Sequence, residues 1–100
     1  MLNADQKRDL KAIANKLENK YQIGKNGVGK NSIMLIDKAL EAHEIIKVYV
    51  LKTVDQEINE LAFDLASNTH SDIVQIVGRA ITLYRRSKKV GIKHVLWLKN

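Results

Sequence analysis

Apolar residues recur along this chain with two different periods. Leu10, Ile13, Ala14 and Leu17 return every three or four positions, which predicts a first helix over about residues 4–18, with Asn3 and Gln6 spaced as a capping box. Tyr21–Ile23 then reads as a short strand, closed by the glycine-rich run Gly24-Lys25-Asn26-Gly27-Val28-Gly29-Lys30. A second helix follows, capped by Asn31 or Ser32, with Ile33, Ile36, Ala39, Leu40 and His43 inward and an end near His43. From Ile45 to Lys52 the period becomes two: Ile46, Val48 and Val50 alternate with Lys47, Tyr49 and Leu51, the mark of a strand covered on both faces.

The helical period returns at Ile58, Leu61, Ala62, Leu65 and Ala66, with Asp55 as the predicted cap and Asp55, Glu57, Glu60 and Asp64 turned outward. An Asn68-Thr69-His70-Ser71 turn leads to two strands, Ile73–Val77 and Ala80–Arg85, joined by Gly78-Arg79 as a two-residue hairpin. The order αβαβαββ predicts one α/β domain, with helices packed on a four-stranded mixed sheet. It occupies residues 1–86, and residues 87–100 form a basic tail with a late apolar cluster of Val95, Leu96, Trp97 and Leu98.

Charge changes what this fold is expected to do. The 100 residues carry a net charge of +6, unevenly: residues 1–30 sum to +4, residues 31–78 to −5 and residues 79–100 to +7. A polarised molecule of this kind expects a polyanion as partner. The absence of cysteine excludes disulfides and thiolate metal sites, and three dispersed histidines do not assemble a metal centre, so no metal or cofactor is expected. Early charges and the lack of a long apolar run predict a cytoplasmic protein without a membrane partner.

The glycine loop admits three readings. Gly24 to Lys30 matches most of a Walker-type phosphate loop, but Asn31 stands where magnesium needs a hydroxyl and Ser32 comes one place late. Gly24-Lys25-Asn26-Gly27 is also a G-x-x-G tetrad, in which glycines bring the backbone close to a phosphodiester and Lys25 supplies charge, as in modules that clamp single-stranded nucleic acid. A tight strand-to-helix connection would use glycine for its dihedral angles alone.

Several motifs in order resemble one family, the CRM domain (chloroplast RNA splicing and ribosome maturation), and especially its stand-alone bacterial, YhbY-like members. They are Gly24-Lys25-Asn26-Gly27-Val28, the run from Ala39 to Val48, the acidic third helix, and Gln75-Ile76-Val77-Gly78-Arg79 followed by Leu83-Tyr84-Arg85, together spanning about residues 4–86. The resemblance implies a fold similar to the C-terminal domain of translation initiation factor three. It also implies RNA binding through the G-x-x-G loop and adjacent basic surface, and ribosomal RNA of large-subunit precursors as the partner. Just after the tetrad this chain has Gly29 where the family commonly has Ser or Thr.

The expected RNA contacts are therefore Gly24, Lys25, Asn26, Gly27 and Lys30 in the loop; Lys7, Arg8 and Lys11 on the first helix; and a basic group of Arg79, Arg85, Arg86, Lys88 and Lys89. Tyr49 and Tyr84 are expected in the core rather than stacking on bases, and Trp97 as a lid on the domain. His43 beside Glu44 lacks a nucleophile or second base, so it reads as a capping or packing histidine and no catalytic residue or small-molecule substrate is expected. The rivals are a nucleotide-binding enzyme built on Gly24–Lys30 and a protein-interaction module using the acidic helix or the Trp97 cluster.

Overall fold

A computed structural model describes residues 2–18, 20–88 and 94–95. Its elements are α1 (Ala4–Ala14), β1 (Tyr21–Ile23), α2 (Lys30–His43), β2 (Ile45–Val50), α3 (Ile58–Thr69), β3 (Asp72–Val77) and β4 (Ala80–Tyr84). This is the expected αβαβαββ order. The sheet runs β1-β2-β4-β3. β1 and β2 are parallel and joined through α2, whereas β4 lies antiparallel to both β2 and β3, giving the mixed sheet.

Strand alternation divides the apolar residues between two layers. Ile46, Val48 and Val50 of β2 and Ile81 and Leu83 of β4 face the buried stripes of α2 (Ile36, Ala39, Leu40) and α3 (Leu61, Ala62, Leu65). Ile45, Tyr84 and Val74 face the other way, onto Leu10 and Ala14 of α1. The β3–β4 register slips between Ile73 and Gln75. That bulge resets the alternation, so Ile73 and Ile76 both pack toward α2 and α3 while Val74, between them, packs on α1.

Element ends depart from the sequence expectation where side chains or tight turns intervene. α1 stops at Ala14, not near residue 18: Lys16 and Leu17 donate to Ile13 and Ala14 in short turns, and Lys47 Nζ caps the Leu17 carbonyl at 3.2 Å. Leu17 still packs beside Leu10 and Ala14 without extending the helix. α2 is capped by Gly29, not by Asn31 or Ser32. α3 is capped by Glu57 rather than Asp55, its carboxylate accepting from the Asn59 N–H at 2.6 Å. Asn68 and Thr69, expected in a turn, complete α3, where the buried Thr69 hydroxyl is satisfied by the Leu65 carbonyl at 2.7 Å. His70 then ends the helix at φ 53°.

β2 ends at Val50 instead of Lys52, since the Arg79 guanidinium takes the carbonyls of Val50 and Leu51, each at 2.7 Å. The hairpin itself is as expected, with Gly78 at φ 58° supplying the left-handed first position. His43 is exposed rather than inward. α2 closes immediately after it through Glu44, at φ 66°, whose side chain turns into the interior.

Candidate nucleic-acid interface

The loop after β1 folds back on itself before α2 begins. Gly27 N–H donates to the Gly24 carbonyl at 2.8 Å, and Gly27 sits at φ +66°, a conformation that L side chains adopt at a cost. The Ser32 hydroxyl accepts from the Gly29 N–H at 2.8 Å and lies 2.9 Å from the Gly29 carbonyl, closing the first turn of α2. The hydroxyl that comes one place late for a magnesium-binding loop is thereby drawn onto the backbone. Among the described residues no group of carboxylates and histidines is arranged to hold a metal ion.

A helix start leaves N–H groups that the helix cannot satisfy. The first backbone bond of α2 runs from Ile33 N–H to the Gly29 carbonyl, and the N–H groups of Lys30, Asn31 and Ser32 have no acceptor among the described residues. Gly29 brings no side chain to cap them, and α2 has no acidic residue in its first turn. These groups lie along an open cavity of about 470 Å³, lined by Gly24, Lys25, Asn26, Gly27, Gly29, Lys30, Asn31 and Ser32. Lys25, Asn26 and Lys30 are exposed on its rim. Free donors, the positive end of a 14-residue helix and two ammonium groups converge on one concave surface, a cradle for an anion such as a phosphodiester.

The other expected contacts are placed differently. Arg79 lies at the loop's end of the sheet, since Val50 N–H donates to its carbonyl and Leu51 N–H to that of Ile23, and its guanidinium donates through Nε and Nη2 to the Val50 and Leu51 carbonyls. Arg85 is six residues further along β4, about 20 Å away at the rise of a strand, so the structure divides the basic group the sequence suggested. Both terminal nitrogens of its guanidinium are engaged, Nη1 at 2.6 Å from Asp37 Oδ1 and 2.7 Å from the Thr69 carbonyl, and Nη2 at 3.0 Å from Glu41 Oε2 and 3.0 Å from the Asp37 carbonyl. Arg86 and Lys88 are exposed at that same far end. Lys89 and Trp97 lie outside the described residues. Lys7, Arg8 and Lys11 are exposed along α1, on the opposite side of the sheet from α2. Tyr84 is buried in the α1 layer as expected, where burial, reinforced by the Glu44 charge and opposed by Arg86, pushes its hydroxyl pKa up. Tyr49 is half-buried.

What sequence reasoning missed is a stripe of carboxylates on the last turns of α2. Asp37, Glu41 and Glu44 recur at helical spacing and gather the segment after β4. Glu41 accepts from the Ser87 hydroxyl at 2.8 Å and the Lys88 N–H at 2.6 Å, which, with Arg85 and against some loss of hydration, hold its carboxyl below the ordinary range. Glu44 is fully buried and its carboxylate meets Ser87 N–H at 2.6 Å, Val95 N–H at 2.8 Å and His94 Nδ1 at 2.5 Å. Burial alone would raise its pKa, and these donors outweigh that and lower it. The signal was acidic residues at positions 37, 41 and 44 in a chain whose last 22 residues carry basic charges and no acidic one.

With this geometry in view, comparison with known proteins is specific. The family model of the CRS1/YhbY (CRM) domain matches residues 2–85. "Probable RNA-binding protein YqeI" of Bacillus subtilis is 43% identical over 89 residues, covering 89% of this chain and 93% of its own. An RNA-binding protein of Haemophilus influenzae is 33% identical over 93 residues, covering 92% of this chain and 93% of its own. The solution structure of the hypothetical protein SAV1595 from Staphylococcus aureus superposes with a TM-score of 0.77 at 41% identity, covering 94% of this chain and 99% of that one.

Proposed function

The chain belongs to the CRS1/YhbY (CRM) domain family, and on that premise we propose that it is a non-enzymatic RNA-binding protein of the cytoplasm that acts in assembly of the large ribosomal subunit. It grips the phosphate backbone of ribosomal RNA in the Gly24–Ser32 cradle and helps hold a structured segment in place. The observation that carries this reading is the set of N–H groups at Lys30, Asn31 and Ser32 that have no acceptor among the described residues, on residues lining the same cavity as Lys25 and Asn26. Phosphate oxygens supply the missing acceptors, and the lysines release counterions from the RNA when it binds. The curated relatives named as RNA-binding proteins support the choice of RNA among polyanions. Exposed Lys7, Arg8 and Lys11 extend the positive surface along α1, and Arg86 and Lys88 extend it at the far end of the sheet.

The test has two parts. RNA crosslinked to the protein in cells is sequenced, and reads concentrated in large-subunit ribosomal RNA and its precursors are expected. Reads spread over messenger RNA would overturn the ribosomal assignment. In solution, affinity for single-stranded RNA should fall steeply as salt rises, by a log–log slope of about −0.7 per phosphate engaged, and a flat response would overturn the electrostatic grip.

A further inference from the structure

Beside the loop the structure has a second concave surface that the phosphate cradle does not use. An open groove of about 560 Å³ runs between α2 and α3, lined by Val28, Gly29, Lys30, Ile33, Met34, Gln56, Asp64 and Asn68. Gly29 and Lys30 belong to both cavities, so the groove begins where the cradle ends. We infer that it seats the base of a nucleotide whose phosphate lies in the cradle, and that Asp64 selects guanine there and rejects uracil. The inference rests on the RNA-binding reading above.

The groove's lining is suited to a base and not to a phosphate. Val28, Ile33 and Met34 provide an apolar floor, and Met34 remains 49% exposed because nothing among the described residues covers it. A planar ring can lie on such a floor, while the Asp64 carboxylate opposes a second phosphate. Asp64 is exposed, and one of its oxygens accepts from Gln56 Nε2 at 2.7 Å, which orients the carboxylate. Asn68 is tied by its own Nδ2 to the Asp64 carbonyl at 2.7 Å. A carboxylate offers about four lone-pair sites and no proton, so one bond from Gln56 leaves acceptors for a base and no donor. Guanine presents two adjacent donors, N1–H and N2–H2, on its Watson–Crick edge. Cytosine and adenine present one amino group, and uracil presents one N–H between two carbonyls that a carboxylate repels. The order of preference is therefore guanine first and uracil last.

The full chain is titrated with a short oligouridine and with the same oligomer carrying one central guanosine, at one low salt concentration. Guanosine should tighten binding by about tenfold, the scale of a well-made side-chain–base pair. Asp64→Asn should reduce that preference to less than about threefold while oligouridine affinity stays the same or rises. The introduced amide oxygen can still accept from Gln56, so thermal unfolding should not move. Lys25→Ala should weaken both oligomers alike. Equal affinity of the parent for the two oligomers, or a guanosine preference retained by Asp64→Asn, would overturn the base-reading groove and leave the phosphate cradle standing. Failure of the parent to bind either oligomer would overturn the RNA reading itself, and this inference with it.

Discussion

Arg85 Nη1 lies 2.6 Å from Asp37 Oδ1, joining the end of β4 to the middle of α2. The same guanidinium reaches Glu41 and the carbonyls of Thr69 and Asp37, so an arginine that resembled an RNA contact in the sequence acts in the fold as a brace between α2, α3 and β4. Arg85→Ala is expected to destabilise the domain by about 1–2 kcal/mol, the scale of charge-assisted hydrogen bonds that are partly open to water. Arg85→Lys should recover only part of this, because one ammonium cannot reproduce the planar fork. Chemical denaturation of the parent and the two variants measures it.

Acid should loosen the α2 end of the molecule. Glu41 and Glu44 both have folded-state pKa values lowered from 4.5. A depressed carboxylate contributes stability that is fully present above its unfolded value and is lost as pH falls through its folded one. Unfolding midpoints are therefore expected to hold near neutrality and to fall below about pH 4.5. Glu44→Gln should make the protein less stable near neutral pH and flatten that acid limb, because the substitution removes a charge buried among three donors. A limb of unchanged steepness in Glu44→Gln would show that other carboxylates set it.

Gly27 tests the loop with little confusion from the core. Its φ of +66° and the empty space around it mean that a side chain would meet strain but no clash. Asp tolerates the left-handed region better than most residues, so Gly27→Asp should retain the parental circular dichroism and lose only about 1 kcal/mol. In the proposed cradle its negative charge would face the phosphate, and RNA affinity should drop at least about tenfold, roughly 1.4 kcal/mol. Parental affinity in the folded variant would move the RNA site away from the loop.

Lys25 and Lys30 should behave as phosphate contacts and not as base readers. Lys25→Ala or Lys30→Ala is expected to weaken binding to unrelated RNA sequences by a similar factor and to reduce the log–log salt slope by about 0.7. A change confined to one sequence, with the slope intact, would contradict the assignment.

Hydrophobic periodicity and turn residues by themselves determined the number, type and order of the elements, because each must bury one stripe or face and the chain announces which. The Gly24–Lys30 loop and the Gly78-Arg79 hairpin were equally legible, since glycine at positive φ is a local demand. Which long-range partner each charge meets is a property of tertiary structure. Only the fold separated Arg79 from Arg85 by the length of a strand, committed both guanidinium groups to internal acceptors, and turned Glu44 inward at the end of α2. It alone fixed the cap of α3 at Glu57 in place of Asp55, and the bulge that returns Ile76 to the core side of β3. A composition with seven basic groups in its last 22 residues can announce a positive end. Whether such a group faces an RNA phosphate or a carboxylate of its own chain depends on distances that exist only once α2 lies against the sheet.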